Sequence, residues 1–92
     1  RIFQMIKREI QILNDLGLHA RPAAVFIQHT NKYKSNILIS KDNSTVNAKS
    51  IMGVMALSVG NGEFIEIKAD GPDEKEAMDD LINLIENELK LI

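Results

Sequence analysis

The sequence predicts an α+β domain of two layers, an antiparallel or mixed sheet covered by helices on one face. Three observations predict it. The segment EFIEIKA at 63–69 alternates apolar and polar residues with the period of a half-buried strand. The segments after Leu18 and after Pro72 place apolar residues three and four apart, the period of a helix. Strand-like and helix-like segments interleave in the order strand, helix, strand, strand, short helix, strand, helix.

Residues 5–13, MIKREIQIL, set Ile6, Ile10 and Ile12 on one side of an alternating pattern and read as the first strand. The run NDLG at 14–17 breaks it. Ala23, Phe26, Ile27 and Thr30 then form one stripe on a helix of about three turns, which NKYKSN ends. NILIS at 36–40 and TVNA at 45–48 are short strands joined by a turn at KDNS, a hairpin. SIMGVMAL at 50–57 is a brief helix opened by Ser50, a residue suited to cap it. VGNG is a loop, and EFIEIKA follows with Ile65, Ile67 and Ala69 inward. Pro72 and Asp73 open a last helix that the pattern carries to about Leu89. Its buried face is Ala77, Met78, Leu81, Ile82, Leu84 and Ile85, and Asp73 with Glu76 has the spacing of a capping box.

Composition narrows the function classes. A chain of 92 residues suits one domain, spanning 1–92, with a single core and no deep enclosed active site. Cysteine is absent, which excludes disulfides and thiolate metal sites. No apolar run has the ~18 residues of a membrane span, and the opening RIFQMIKREI lacks a signal-peptide stretch. A cytoplasmic protein is expected, with no membrane insertion. Charge is unevenly spread: residues 1–62 carry eight Lys or Arg against three acids, and residues 63–92 carry three Lys against ten acids. The acidic block belongs mostly to the solvated face of the last helix, which leaves a mildly basic first part to meet an acidic partner. Direct nucleic-acid binding is disfavoured, because the basic residues are scattered and aromatics are only 4% of the chain.

The chemistry concentrates in LGLHARPAA at 16–24. The first amides of a helix have no internal acceptor and carry partial positive charge, so a helix start favours an anion. Neutral imidazole is a competent nucleophile near pH 7. If His19 caps the helix, its Nδ1 lies nearest the free amides of Ala20 and Arg21. A phosphoryl group on that nitrogen would be held by those amides and by the Arg21 guanidinium. Charge-assisted hydrogen bonds contribute roughly 1.5–3 kcal/mol each. Proline prefers the first helical position, which would instead make Arg21 the cap. Placing Pro22 third is also allowed, since that amide is unpaired in any helix. The commoner role for such a histidine is a plain loop-to-helix corner.

Together, LGLHARPAA and KSIMGVMALSVG at 49–60 resemble the histidine-containing phosphocarrier (HPr) family of the bacterial phosphoenolpyruvate-dependent sugar phosphotransferase system. The likeness runs from the first strand to the last helix. It implies an open-faced β-sandwich, a four-stranded antiparallel sheet covered on one face by three helices in the order βαββαβα. It implies that His19 is the phosphoryl acceptor, modified on Nδ1, that Arg21 steadies the phosphoryl group, and that the histidine caps the helix with Pro22 third. Ser50 matches the serine that an ATP-dependent HPr kinase/phosphorylase modifies in many Gram-positive bacteria, with a catabolite-control repressor as reader. Ala24, Ile51, Met52 and Met55 match part of the family's docking surface, so at least two of them should be exposed. Methionine suits that role because it repacks against different partners. The implied partners are enzyme I and the sugar-specific enzyme IIA domains. The carrier is a substrate of other enzymes, with no cofactor and no metal. The regulatory relative that replaces the histidine with glutamine is not matched, because His19 is present.

Phosphates ~10 Å apart in water repel by only about 1 kcal/mol before screening, so any antagonism between His19 and Ser50 must act through docking. Two other readings remain: a regulatory domain whose output is phospho-Ser50, and a small binding module without phosphoryl chemistry. His29 lies ~15 Å along the helix from His19 and about 80° round it, too far to share a metal, and is expected on the surface. GNGE lacks the Lys-Ser/Thr of a P-loop, and Ser50 lies in no nucleophile elbow.

Overall fold

Four strands form one antiparallel sheet in the order β1–β4–β2–β3. They are β1 (Ile6–Gln11), β2 (Asn36–Lys41), β3 (Ser44–Asn47) and β4 (Phe64–Asp70). The helices are α1 (Ala20–Thr30), α2 (Ile51–Ala56) and α3 (Glu74–Asn83). The computed structural model describes residues 4–92. Arg1–Phe3, part of the amino end read above, lie outside the described residues.

Alternation decides which face of the sheet is covered. Ile37, Ile39, Ile65, Ile67 and Ala69 are each at most 1% exposed, so the two central strands turn every second residue into the core. Ile10 of β1 and Ile12 just beyond it join them. Lys7, Glu9, Glu66 and Lys68 stand on the other face, paired across strands as Lys7–Lys68 and Glu9–Glu66. The β2–β3 hairpin pairs Lys41 with Ser44, leaving a two-residue turn in which Asp42 takes a positive φ of 54°. Asp and Asn tolerate that conformation better than other side chains.

The helices bury one stripe each against this face. In α1 the buried residues are Pro22, Ala23, Phe26 and Thr30. The Thr30 hydroxyl donates to the Ala48 carbonyl at 2.8 Å, which satisfies a fully buried polar group. In α2 only Val54 is buried. Ala77, Met78 and Leu81 of α3 complete the layer.

Three expectations change in the last helix and in what it touches. The capping box does not form, because the Asp73 side chain makes no capping bond. Its carboxylate accepts from the Lys34 amide at 2.9 Å, the Ser35 amide at 2.9 Å and the Ser35 hydroxyl at 2.5 Å. Glu74, rather than Glu76, reaches back and accepts from the Gly71 amide at 3.0 Å. The regular helix also stops at Asn83, short of Leu89, and continues as a π-helical turn over Leu84–Glu88 and a 3₁₀ turn over Leu89–Leu91. Five residues span ~140° on an α-helix; the wider π turn brings Leu89 round to the core beside Leu84, and both are fully buried. Finally, His29 is not a free surface residue. Its Nδ1 lies 2.9 Å from Asp80 Oδ1, joining the end of α1 to α3.

Asp80 also accepts from the Tyr33 hydroxyl at 2.6 Å and lies 3.6 Å from Lys32 Nζ. Burial opposes ionisation of Asp80, but the bonds from Tyr33 and His29 outweigh it and hold its carboxyl below the usual range. Burial and the Asp80 carboxylate push the Tyr33 phenol up to about 12.

Candidate functional site

The chain enters α1 through a tightly seated loop. Gly17 has a φ of +65°, and a Cβ there would lie 2.0 Å from the Val59 carbonyl oxygen. Only glycine allows that backbone approach. The Leu18 amide donates to Val59 O at 2.9 Å, and the Gly17 amide to Asn14 O at 3.0 Å. The Asn14 side-chain amide, 1% exposed, donates to the Leu89 carbonyl and ties the loop to the carboxyl end.

His19 is the N-cap of α1, with an extended backbone (φ −74°, ψ −173°). Its carbonyl accepts from the Ala23 amide at 3.0 Å. Ala20 and Arg21 are therefore the first two helical residues and Pro22 the third, which resolves the competing placements. Pro22 lacks an N–H where no helix could use one, and its buried ring packs under the turn. The imidazole makes no capping bond and is half-buried. Among the described residues, the Ala20 and Arg21 amides donate to no carbonyl, and the exposed Arg21 guanidinium forms no ion pair. The first turn of α1 carries no acid. An anion at this corner meets unpaired amides and the positive end of an 11-residue helix whose first turn holds an unpaired arginine and no carboxylate.

Ser50 caps α2, and its Oγ accepts from the Gly53 amide at 3.1 Å. Ala24, Ile51, Met52 and Met55 are all exposed; the three larger residues are 38%, 80% and 42% accessible. Val54 is the α2 residue that anchors to the core. Sequence reading missed Leu16, which is 73% exposed in the loop before His19. Its signal was an apolar residue inside the strand-breaking run NDLG. Also missed were Lys41 and Glu63, whose contacts converge on the loop that receives Leu18. Among the described residues no group of three or more His, Asp or Glu is placed to hold a metal ion. No described helix is long and apolar enough to cross a membrane.

Residues 6–87 match the family model described as "PTS HPr component phosphorylation site". The "Phosphocarrier protein HPr" of Neisseria meningitidis is 48% identical over 81 residues, covering 88% of this chain and 91% of the relative. The "HPr-like protein Crh" of Halalkalibacterium halodurans is 48% identical over 84 residues, covering 91% of this chain and all of the relative. Among solved structures, that of HPr-C-His from Thermoanaerobacter tengcongensis superposes with a TM-score of 0.89 at 49% identity, covering 91% of this chain and 94% of the other. With the βαββαβα order, the open antiparallel sheet and these matches, the chain belongs to the HPr family of phosphotransferase-system phosphocarriers, proteins that carry phosphoryl groups and are not themselves enzymes.

Proposed function

We propose that this chain accepts a phosphoryl group on His19 Nδ1 from the phosphohistidine of enzyme I and passes it to sugar-specific enzyme IIA domains. The lone pair of neutral imidazole forms the new N–P bond as the donor's N–P bond breaks. The phosphoryl oxygens are held by the Ala20 and Arg21 amides and the Arg21 side chain. The observation that carries this reading is the placement of His19 at the cap with its ring free of any capping bond, next to two unpaired amides and an unpaired arginine. Ala24 of α1 and Ile51, Met52 and Met55 of α2, which packs against α1, serve as the docking surface, an exposed set of apolar residues. Incubation with enzyme I and labelled phosphoenolpyruvate tests it: acid-labile label maps to His19, and wild-type protein that stays unlabelled ends the proposal.

We infer a second function at Ser50, in keeping with the likeness to Crh, the catabolite repression HPr of Bacillus subtilis. In this reading an HPr kinase/phosphorylase phosphorylates Ser50 and a catabolite-control repressor reads the product. A phosphate there adds roughly −1.5 to −2 charge at a helix start, which tolerates it locally, so the effect falls on docking at the neighbouring Ile51 and Met52. Treatment with such a kinase and ATP should give an acid-stable phosphate that Ser50→Ala abolishes. Label retained in Ser50→Ala would place the modification elsewhere. The protein acts in the cytoplasm, where both phosphoryl donors are found.

A further inference from the structure

The backbone before His19 rests on a loop whose own shape is held by two charged side chains outside the helix. Lys41, the last residue of β2, donates from Nζ to the Ser58 carbonyl at 2.8 Å. The same Nζ lies 3.0 Å from Glu63 Oε1. That oxygen also accepts from the Gly60 amide at 2.6 Å. The two side chains thus grip the residues on either side of Val59, and Val59 O is the acceptor for the Leu18 amide. Ser58 holds a positive φ of 53°, a conformation that a side chain disfavours. The Lys41 contact is made at that residue's carbonyl. On the other side of the joint, Gly17 touches Val59 O and Gly60 so closely that no Cβ fits.

We propose that Lys41 and Glu63 are positioning residues for phosphoryl transfer at His19, because together they fix Val59 as the seat of the Gly17–Leu18 backbone. The inference rests on the reading of His19 as phosphoryl acceptor. Neither side chain touches the reacting ring. They set where residue 18 ends, and hence where the imidazole and the amides of residues 20 and 21 point. An ion pair at the surface contributes little to stability by itself. Here the carboxylate also holds a backbone amide, so the pair constrains geometry at a distance of two bonded contacts from His19.

The test compares Glu63→Ala, Lys41→Met and Glu63→Gln with Lys75→Met, which removes the exposed Lys75–Asp79 pair on α3. Two readouts are taken on folded protein: the ¹⁵N–¹H shifts of the Leu18, Ala20 and Arg21 amides, and kcat and KM for transfer from phosphorylated enzyme I. Glu63→Ala and Lys41→Met should move those amide signals and lower kcat by about tenfold, with KM held within about twofold, as expected for lost alignment rather than lost docking. Glu63→Gln keeps an oxygen acceptor for Gly60 and should recover most of the rate; Lys75→Met should change neither readout. Unmoved amide signals with an unchanged kcat in Glu63→Ala and Lys41→Met would overturn the proposal, as would a loss confined to KM. Wild-type protein that takes no label at His19 would refute the carrier reading itself, while the amide shifts would still decide whether the latch sets this backbone.

Discussion

The Leu18 amide donates to the Val59 carbonyl at 2.9 Å, joining the loop before α1 to the loop after α2. This contact is possible because Gly17 presents bare backbone to Val59 and Gly60. Gly17→Ala puts a methyl group where Val59 O stands and imposes a left-handed conformation that costs about 1–2 kcal/mol on its own. The total loss should be about 3 kcal/mol or more, read as a lower urea midpoint at an unchanged slope. A midpoint equal to wild type would show that the loop shifts freely.

His19 closes α1 through its carbonyl and leaves the ring uncommitted. His19→Ala should therefore change stability by less than about 0.5 kcal/mol, well under the loss of a side-chain cap. The same substitution should abolish acid-labile labelling. A large loss of stability would mean that the ring is structural.

Asp73 gives the fold an acid-sensitive joint between the chain before β2 and the start of α3. Burial opposes its ionisation, but the Ser35 hydroxyl and the Lys34 and Ser35 amides outweigh burial and bring the carboxyl from 3.8 down to about 2. A depressed folded value means that ionised Asp73 stabilises the protein above its unfolded value, and that this contribution is lost as pH falls from about 4 to about 2. In Asp73→Ala, buried Ser35 loses its acceptor, at a cost of about 1–3 kcal/mol near neutral pH. The stability difference between wild type and Asp73→Ala should shrink over that acid window. A difference that stays constant with pH would exclude the joint.

Tyr33 is the one tyrosine of the chain, so its phenol can be followed alone by ultraviolet absorbance. Burial and the Asp80 carboxylate place its midpoint at about 12. A raised value means that the protonated phenol stabilises the fold below its ordinary range, and that this contribution fades as pH rises from about 10 to about 12. Asp80→Asn should bring the midpoint back toward 10. A titration near 10 in wild type would contradict the Tyr33–Asp80 bond.

Met52 is 80% exposed while its neighbour Val54 is fully buried. Met52→Glu should leave stability within about 0.5 kcal/mol and raise KM for enzyme I by tenfold or more, because it sets a charge in an apolar docking patch. Val54→Ala should do the opposite, lowering stability through a core cavity while sparing KM. Equal effects of Met52→Glu on both measurements would remove it from the docking surface.

The order of elements was legible in the residues alone, because alternation in EFIEIKA and the helical stripe of Ala23, Phe26 and Thr30 are local patterns that hydrophobic burial reads directly. The sequence also marked His19 and Arg21 as candidates, since both lie in one short motif at a helix start. Where the acid after Pro72 places its carboxylate, and what holds His29, came from packing alone; the cap of α1, open by proline's positional preference and implied by the family resemblance, was settled by the backbone at His19. Asp73 turns to Ser35 and His29 to Asp80, partners 38 and 51 residues away. The same holds for Lys41 and Glu63, which act on the His19 loop only through Val59. Local periodicity fixes which face of an element is buried, whereas a polar side chain takes whichever donor or acceptor folding brings within reach, and that choice is made by packing across the whole chain.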